Sequence, residues 1–166
     1  MEPFRTEAEA LEAAYDQYAG MLYRLALTRL HQREDAEDIV QEVFLKYLAS
    51  YRDFRSEEHE RAWLVRVTLN ACTDSLKRHG RRNQLSLNEI PELGEEEPSD
   101  FLRFSLVPND LLPEKLRLVI VLHYLEGYSV KEVSSMLGIS LSACKMRLKR
   151  GRKLLADAIR EEEPHV

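Results

Sequence analysis

The chain has 166 residues, of which 44% are hydrophobic and 32% charged, so it can bury a core and is not disordered throughout. No apolar run approaches the ~20 residues that a membrane-spanning helix needs. The N-terminus carries early acidic residues and lacks the apolar core of a signal peptide, so we expect a cytoplasmic protein without a membrane span. The histidines and the two cysteines, Cys72 and Cys144, show no ligand spacing. We therefore expect no metal, no cofactor and no disulfide, and two buried thiols.

The net charge of −5 is distributed unevenly along the chain. Residues 61–82 hold six basic residues and one acidic residue, and residues 106–160 hold ten basic and five acidic residues. Residues 1–60 and 83–105 are acidic, with net charges of −7 and −5. Two basic islands on an acidic chain favour two separate contacts with nucleic acid.

Three amphipathic helices are predicted in the first part of the chain, residues 1–83. Apolar residues recur at helical spacing from Glu7 to about Leu30, in a stripe that includes Tyr15. A second helix has the most regular apolar period of the chain, and Asp35 is in a position to be its N-cap. A third helix is expected from near Glu60 to near His79, followed by a basic cluster and a glycine that can stop it.

Residues 84–108 are predicted to form a flexible acidic linker, because they contain prolines, a glycine and a run of three glutamates without a sustained period. A second domain, residues 109–166, is expected to begin its first helix at Pro113. Two further apolar-periodic segments flank Gly138. Since no sustained β alternation occurs, the predicted fold is all-α, with two small helical domains joined by the linker.

The last two predicted helices, with the glycine between them, have the arrangement of a helix-turn-helix. At 100° per residue, one side of the second helix is apolar. That side carries Cys144, Leu148, Gly151, Leu155 and Ile159. The basic residues of the segment are Lys145, Arg147, Lys149, Arg150, Arg152 and Lys153. A helix that is apolar inward and cationic outward suits the DNA major groove, although a solvated basic helix or a membrane-surface helix has a similar composition.

Three blocks of sequence, in order, resemble the extracytoplasmic-function (ECF) sigma factors of bacterial RNA polymerase. They are DAEDIVQEVFLKYL (Asp35–Leu48), AWLVRVTLNACTDSLKR (Ala62–Arg78) and the run from Leu112 through LRLVIVLHYLEGYSVKEVSSMLGIS to Leu155. The resemblance covers most of the chain. It implies a promoter-specificity subunit that binds core RNA polymerase and both duplex and melted promoter DNA.

In this family the first block is the main docking surface for core RNA polymerase, and the second block reads the minus-ten promoter element. The residues that match the docking positions are Asp38, Gln41, Glu42 and Phe44. The residues expected at the minus-ten element are Phe54, Asn70, Asp74, Lys77, Arg78, Arg81 and Arg82. Bases held outside the stack need aromatic and hydrogen-bonding groups nearby, which fits Phe54 and Asn70. Arg81 and Arg82 are expected to bind phosphates.

The third block is similar to the family's reader of the minus-thirty-five element. The residues expected to contact this element are Lys145, Met146, Arg147, Lys149, Arg150 and Arg152. The chain departs from the family pattern at Ala143, Cys144, Met146 and Gly151, so its promoter preference is expected to depend on these positions. Family members are commonly held by an anti-sigma factor, which makes such a partner an expectation here.

A free-standing helix-turn-helix regulator that acts without polymerase is the main alternative. It would need neither the acidic helix around Asp38 nor the block around Asn70. A helical adaptor that binds no DNA is a third possibility. An enzyme is the least favoured class, because paired carboxylates such as Glu37 and Asp38 have no base partner and no pocket-forming context.

Overall fold

In the computed structural model the chain divides into two compact units, Met1–Pro91 and Glu92–Val166. The structure describes residues 6–79 and 110–162, and side chains at all of these except Arg52 and Glu162. The described residues contain helices, turns and loops and no strand, which confirms the predicted all-α fold. The predicted linker, residues 84–108, and both of its boundaries lie outside the described residues and stay predictions.

The first unit contains three long helices, α1 (Glu7–Leu30), α2 (Arg33–Ser50) and α3 (Glu57–His79), with a short 3-10 turn at Tyr51–Asp53. Each helix packs against the other two. The core between them holds side chains that are almost inaccessible to solvent. Among these are Leu22, Leu25, Val43, Leu64 and Val65.

Caps and backbone geometry set the ends of these helices. Thr6 and Glu9 form a capping box that starts α1, and His31, with a φ of 58°, ends it in the left-handed conformation. The prediction that Asp35 is the N-cap of α2 was wrong. The helix begins at Arg33, and Asp35 lies in its first turn, where a carboxylate is still favoured by the helix dipole.

The third helix begins earlier than the expected start near Glu60. Ser56 precedes the helix, and its hydroxyl oxygen accepts a hydrogen bond from the backbone N–H of His59 at 3.1 Å. This bond satisfies one of the amide groups that a helix start leaves free, so the helix can begin at Glu57. The helix ends at His79, as predicted.

The second unit contains α4 (Glu114–Ile120), a π-helical turn (Val121–Leu125), α5 (Val130–Leu137) and α6 (Leu141–Glu162). Both α4 and α5 pack against α6. Pro113 lies at the N-cap position of α4, one residue before the helix rather than in its first turn. The longest helix of this unit is therefore held by two short ones.

Arg117 is fully buried in the second unit, at 1% exposure. Its Nε donates a hydrogen bond to the backbone oxygen of Leu112 at 3.0 Å. Burial lowers the pKa of the Arg117 guanidinium, while the neighbouring Glu114 carboxylate raises it. This arginine ties the segment before α4 to the helix and belongs to the core of the unit, not to its cationic surface.

Candidate nucleic-acid and protein interfaces

The outward face of α2 is polar and mainly acidic. Asp38 and Gln41 are exposed, and Glu42 is half-buried. The Glu42 carboxylate forms an ion pair with Lys46 at 3.1 Å. This interaction is solvent-exposed and contributes little energy, so a partner can displace it. Three of the four residues expected to dock on polymerase are thus accessible on one helix.

The fourth residue, Phe44, lies inside the unit and is only 5% exposed. Its ring centroid is 5.1 Å from that of Tyr15 and 6.2 Å from that of Tyr47. Phe44 therefore holds α2 against α1 by aromatic packing, and this packing stabilises the helix that carries the polar outward face.

An apolar groove of about 520 Å³ runs between α1 and α2, next to this acidic face. Its lining residues are Ala8, Leu11, Glu12, Tyr15, Asp16, Gln41, Phe44, Leu45 and Leu48. Leu45 is 70% exposed and Tyr15 is 52% exposed, so the apolar stripe of α1 is not buried at Tyr15. Sequence reasoning missed the groove. The one available signal was Leu45, an apolar residue on the otherwise polar side of α2.

A cluster of aromatic side chains surrounds Phe54, which follows the 3-10 turn. Its ring stacks on Tyr47 at a centroid distance of 5.7 Å and meets His59 and Trp63 edge-on at 5.5 and 5.3 Å. Phe54 and Trp63 are both half-buried, so each ring keeps part of its surface in solvent. The hydroxyl of Tyr47 donates a hydrogen bond of 2.6 Å to Glu60, which links the buried ring of the cluster to α3.

The exposed side of α3 carries the remaining predicted minus-ten residues that the structure describes. Asn70, Asp74, Lys77 and Arg78 are all exposed. Their spacing of four, three and one residues places them along one side of the helix. The opposite side is buried through Thr68, Ala71, Cys72 and Ser75. Arg81 and Arg82, the predicted phosphate contacts, lie outside the described residues.

The helix-turn-helix of the second unit is closed by regular capping interactions. Ser129 and Glu132 form a capping box at the start of α5, and Gly138 ends that helix with a φ of 65°. The Ser140 hydroxyl oxygen then accepts a hydrogen bond from the N–H of Ala143 at 3.1 Å, which caps α6. The turn therefore confirms the predicted role of Gly138 and fixes the direction in which α6 leaves it.

The inward side of α6 is buried in its first half, as the periodicity predicts. Cys144 and Leu148 are 0% and 4% exposed, and Gly151 is buried. Burial raises the pKa of the Cys144 thiol, and the nearby charge of Arg147 partly offsets this by lowering it. Ile159, which was expected to face inward, is 60% exposed. The helix is 22 residues long and its partners α4 and α5 are 7 and 8, so they do not cover its last turns.

The outward side of α6 is cationic over the same stretch. Five of the predicted contact residues are exposed, and Arg147 is half-buried. The five are Lys145, Met146, Lys149, Arg150 and Arg152. No acidic residue occurs between Leu141 and Lys153. A helix surface of this kind binds the phosphate backbone and presents donors to base edges in the major groove.

Three general features of the described residues bear on function. Both cysteines are buried, which confirms the prediction that their side chains lie in the interior. Residues 6–79 and 110–162 contain no cluster of three or more His, Cys, Asp or Glu side chains that could hold a metal ion. Within the same residues, no helix is long and apolar enough to cross a membrane.

The family models that match the chain divide it in the same way as the two units. Residues 14–82 match Sigma-70 region 2, and residues 110–155 match Sigma-70, region 4. The first match contains α2 and α3 with the aromatic cluster, and the second contains the helix-turn-helix.

Curated relatives are ECF sigma factors. The chain is 30% identical to the ECF RNA polymerase sigma-E factor of Haemophilus influenzae, over 80% of this chain and 79% of the relative. It is 26% identical to ECF RNA polymerase sigma factor SigX of Bacillus subtilis, over 93% of this chain and 87% of the relative. It is 32% identical to ECF RNA polymerase sigma factor SigE of Mycolicibacterium smegmatis over 85% of this chain, but spans only 58% of that relative.

Solved structures with the same fold include CnrH in complex with the cytosolic domain of CnrY. That chain is 25% identical, with a TM-score of 0.68 over 95% of this chain and 96% of that chain. The sigma factor RpoE from Bartonella quintana, solved with the anti-sigma factor NepR, has a TM-score of 0.70 at 21% identity. The alignment with RpoE covers 92% of this chain and 98% of that chain.

Proposed function

The chain belongs to the ECF family of RNA polymerase sigma factors, and on that premise we propose that it binds core RNA polymerase and directs promoter-specific initiation. The observation that carries the proposal is the division of surfaces between the two units. An acidic helix with an apolar groove lies on the first, and a cationic recognition helix on the second. A free-standing helix-turn-helix regulator would not need the first unit, so this alternative is not favoured.

For the first unit, which contains the proposed domain of residues 1–83, we propose two tasks. Asp38, Gln41 and Glu42 dock on a basic surface of the polymerase, and Phe44 keeps their helix in place. The apolar groove beside them adds contact area that an acidic face alone lacks, because buried apolar surface supplies most of the free energy of association.

The second task of this unit is to hold the melted minus-ten element. The half-buried ring of Phe54 lies in a cluster that offers stacking surfaces, and stacking is worth about 1–3 kcal/mol for each base. Exposed Asn70 supplies both a donor and an acceptor for a base edge. The remaining proposed contacts of the unit are Asp74, Lys77, Arg78, Arg81 and Arg82.

For the second unit, which contains the proposed domain of residues 109–166, we propose recognition of the minus-thirty-five element by α6. Lys145, Lys149 and Arg150 are the proposed donors to base edges or phosphates, with Met146 in apolar contact with bases. Arg147 and Arg152 are the proposed phosphate contacts. Residues 84–108 are proposed as the linker that spaces the two promoter contacts.

The proposal includes a cytoplasmic location, no catalytic site of its own and a protein that holds the chain inactive. The sequence of CnrH is similar over nearly the whole chain, and CnrH was solved with the cytosolic domain of CnrY. We expect a comparable anti-sigma factor to cover surfaces that polymerase and promoter DNA otherwise use.

The experiment that tests the proposal is reconstitution of the full chain with bacterial core RNA polymerase on genomic DNA, followed by mapping of transcript starts. The proposal predicts a discrete set of starts that share two sequence elements and are absent with core polymerase alone. The variant Lys149→Ala/Arg150→Ala serves as the comparison, because it keeps the first unit intact. Starts identical to those of core polymerase alone would contradict the proposed function.

A further inference from the structure

A glycine lies where the recognition helix α6 packs against α4. Gly151 is in the middle of α6 and is buried. A Cβ atom at this position would lie 3.0 Å from Cγ1 and 3.1 Å from Cδ1 of Ile120, and 3.7 Å from Cβ of Leu116. The first two distances are shorter than ordinary carbon contacts. The helices α4 and α6 therefore approach each other closely enough that even a methyl group at residue 151 does not fit without movement.

The atoms in the way have little freedom to move. Ile120 is 4% exposed, Leu116 is 9% exposed, and Ile120 is β-branched, which restricts its side-chain rotamers. Protein cores are packed densely, so extra volume shifts side chains or backbone instead of filling a void. An added methyl group requires its neighbours to move by a few tenths of an ångström. Because Ile120 is enclosed, we expect part of this movement to be a shift of α6 relative to α4.

The residues next to this contact face DNA in the proposed complex. Lys149, Arg150 and Arg152 are exposed and lie within two residues of Gly151. Cys144 and Leu148, which hold the preceding turns of α6 against the unit, are 0% and 4% exposed. A displacement at Gly151 with those turns held in place tilts the helix and moves the cationic side chains with it.

Glycine is also an unfavourable choice for this position by helix propensity alone, because it has the greatest backbone freedom to lose in the middle of a helix. Its backbone is helical, so no unusual dihedral angle requires it. The close approach of α4 is the feature that does.

We propose that Gly151 is a positioning residue: because it has no side chain, α6 packs close to α4 without displacement, and this position of α6 determines which sequence the minus-thirty-five reader prefers. The inference rests on the proposed function. Hydrogen bonds to base edges require donor–acceptor distances near 3 Å with good angles, whereas phosphate contacts are largely independent of sequence. A tilted α6 should therefore lose discrimination between sequences before it loses affinity for DNA in general.

The experiment uses holoenzyme, the full chain with core RNA polymerase, on a pool of promoter templates whose minus-thirty-five segment is randomised. Sequencing the transcribed templates gives the enrichment of the preferred segment over the pool. For Gly151→Ala we expect the enrichment to fall about tenfold, the order of one good base contact, with the salt dependence of DNA binding unchanged.

Three further variants separate positioning from stability. Ile120→Ala removes both atoms that the new methyl group meets, so Gly151→Ala/Ile120→Ala should recover the wild-type preference. Ile120→Ala alone should lower the melting temperature because it leaves a cavity, yet keep the preference. Gly20→Ala is the matched glycine in α1, where a Cβ would come within 3.1 Å only of the flexible end of Arg24. It should leave the preference unchanged.

The outcomes distinguish this inference from the function beneath it. A wild-type holoenzyme without any enriched segment would overturn the proposed function, and the inference with it. A wild-type preference that Gly151→Ala retains in full would overturn the inference alone. So would a lost preference that the double variant does not recover, because the loss would then follow from damage other than the contact with Ile120.

Discussion

The helices α2 and α6 pack in the same way within their units but present opposite charges to solvent. Each buries one apolar side against two other helices of its unit. The outward side of α2 is mainly acidic, and the outward side of α6 is cationic from Lys145 to Lys153. The charge of the outward side therefore distinguishes the helix proposed to bind polymerase from the helix proposed to bind DNA, since long-range electrostatics select the partner and its approach.

The two helices also differ in what lies beside the charged face. An apolar groove with exposed Tyr15 and Leu45 adjoins the acidic face of α2. Protein interfaces combine a central apolar patch with a polar rim, whereas DNA interfaces are polar and positively charged. The surroundings of α2 and of α6, as well as the charge of each helix, therefore match the proposed partner of that helix.

The strongest loss of binding is expected from changes to the cationic face of α6. Lys149→Ala/Arg150→Ala should lower the affinity of the holoenzyme for a promoter duplex at least ~100-fold at physiological salt, because base and phosphate contacts are both lost. The affinity of wild type should also fall steeply as salt rises. Fluorescence anisotropy over a salt series measures both quantities.

The control for this variant is Lys115→Ala/Arg160→Ala. It removes the same charge from exposed positions in α4 and in the last turn of α6. It should change promoter affinity far less. Equal losses in the two double variants would mean that net charge, and not the face of α6, controls binding.

A weaker loss of binding is expected from changes to the acidic face of α2. Asp38→Lys/Glu42→Lys should weaken binding to core RNA polymerase by roughly tenfold to 100-fold, because two like charges would then face a basic surface. Surface plasmon resonance with immobilised core polymerase measures this affinity. Asp157→Lys/Glu161→Lys makes the same change of charge at exposed positions of the other unit and should bind core polymerase as wild type does.

A substitution in α3 should reduce promoter opening with little change in the stability of the first unit. Asn70 is exposed, so Asn70→Ala should change the free energy of unfolding by no more than about 0.5 kcal/mol. Promoter opening, followed by permanganate reactivity of unpaired thymines, should fall about tenfold if one base loses its hydrogen bonds. Glu58→Ala, an exposed change in the first turn of the same helix, should open the promoter normally. Normal opening by Asn70→Ala would remove this residue from the minus-ten site.

The smallest effect concerns a feature that the two units share. Thr6 and Ser129 each start a helix through a capping box. Thr6→Ala and Ser129→Ala should each lower the free energy of unfolding of their unit by about 1 kcal/mol. Urea titration checks this, and neither variant should change the preferred promoter sequence. A change of preference in Ser129→Ala would show that the cap also orients the reader.

Periodicity and turn chemistry predicted much of this architecture. The bounds of α1, the turn at Gly138 and the buried side of α6 at Cys144 and Leu148 follow from local sequence. The local sequence pattern gave the wrong N-cap for α2, where two positions could start the helix. Asp35 is a good N-cap by residue type, yet α2 begins two residues before it. Helix ends depend on small energies that neighbouring contacts can reverse.

The groove and the seating of α6 were beyond local prediction, because both depend on which side chains meet across helices. Tyr15 belongs to the apolar stripe of α1 and is nevertheless half exposed, since its ring packs on Phe44 at the open edge of the helix pair. Gly151 looks unfavourable in a helix until Ile120 is placed against it. The predicted contacts at Arg81 and Arg82 lie outside the described residues and stay predictions.

The most direct test of the division of labour measures two affinities on the same three proteins. Wild type, Asp38→Lys/Glu42→Lys and Lys149→Ala/Arg150→Ala are each titrated with core RNA polymerase and, once assembled at saturating polymerase, with promoter DNA. We expect a crossed result, in which the α2 variant loses affinity for polymerase alone and the α6 variant loses affinity for promoter DNA alone. Loss of both affinities in either variant, with its fold intact by circular dichroism, would contradict it.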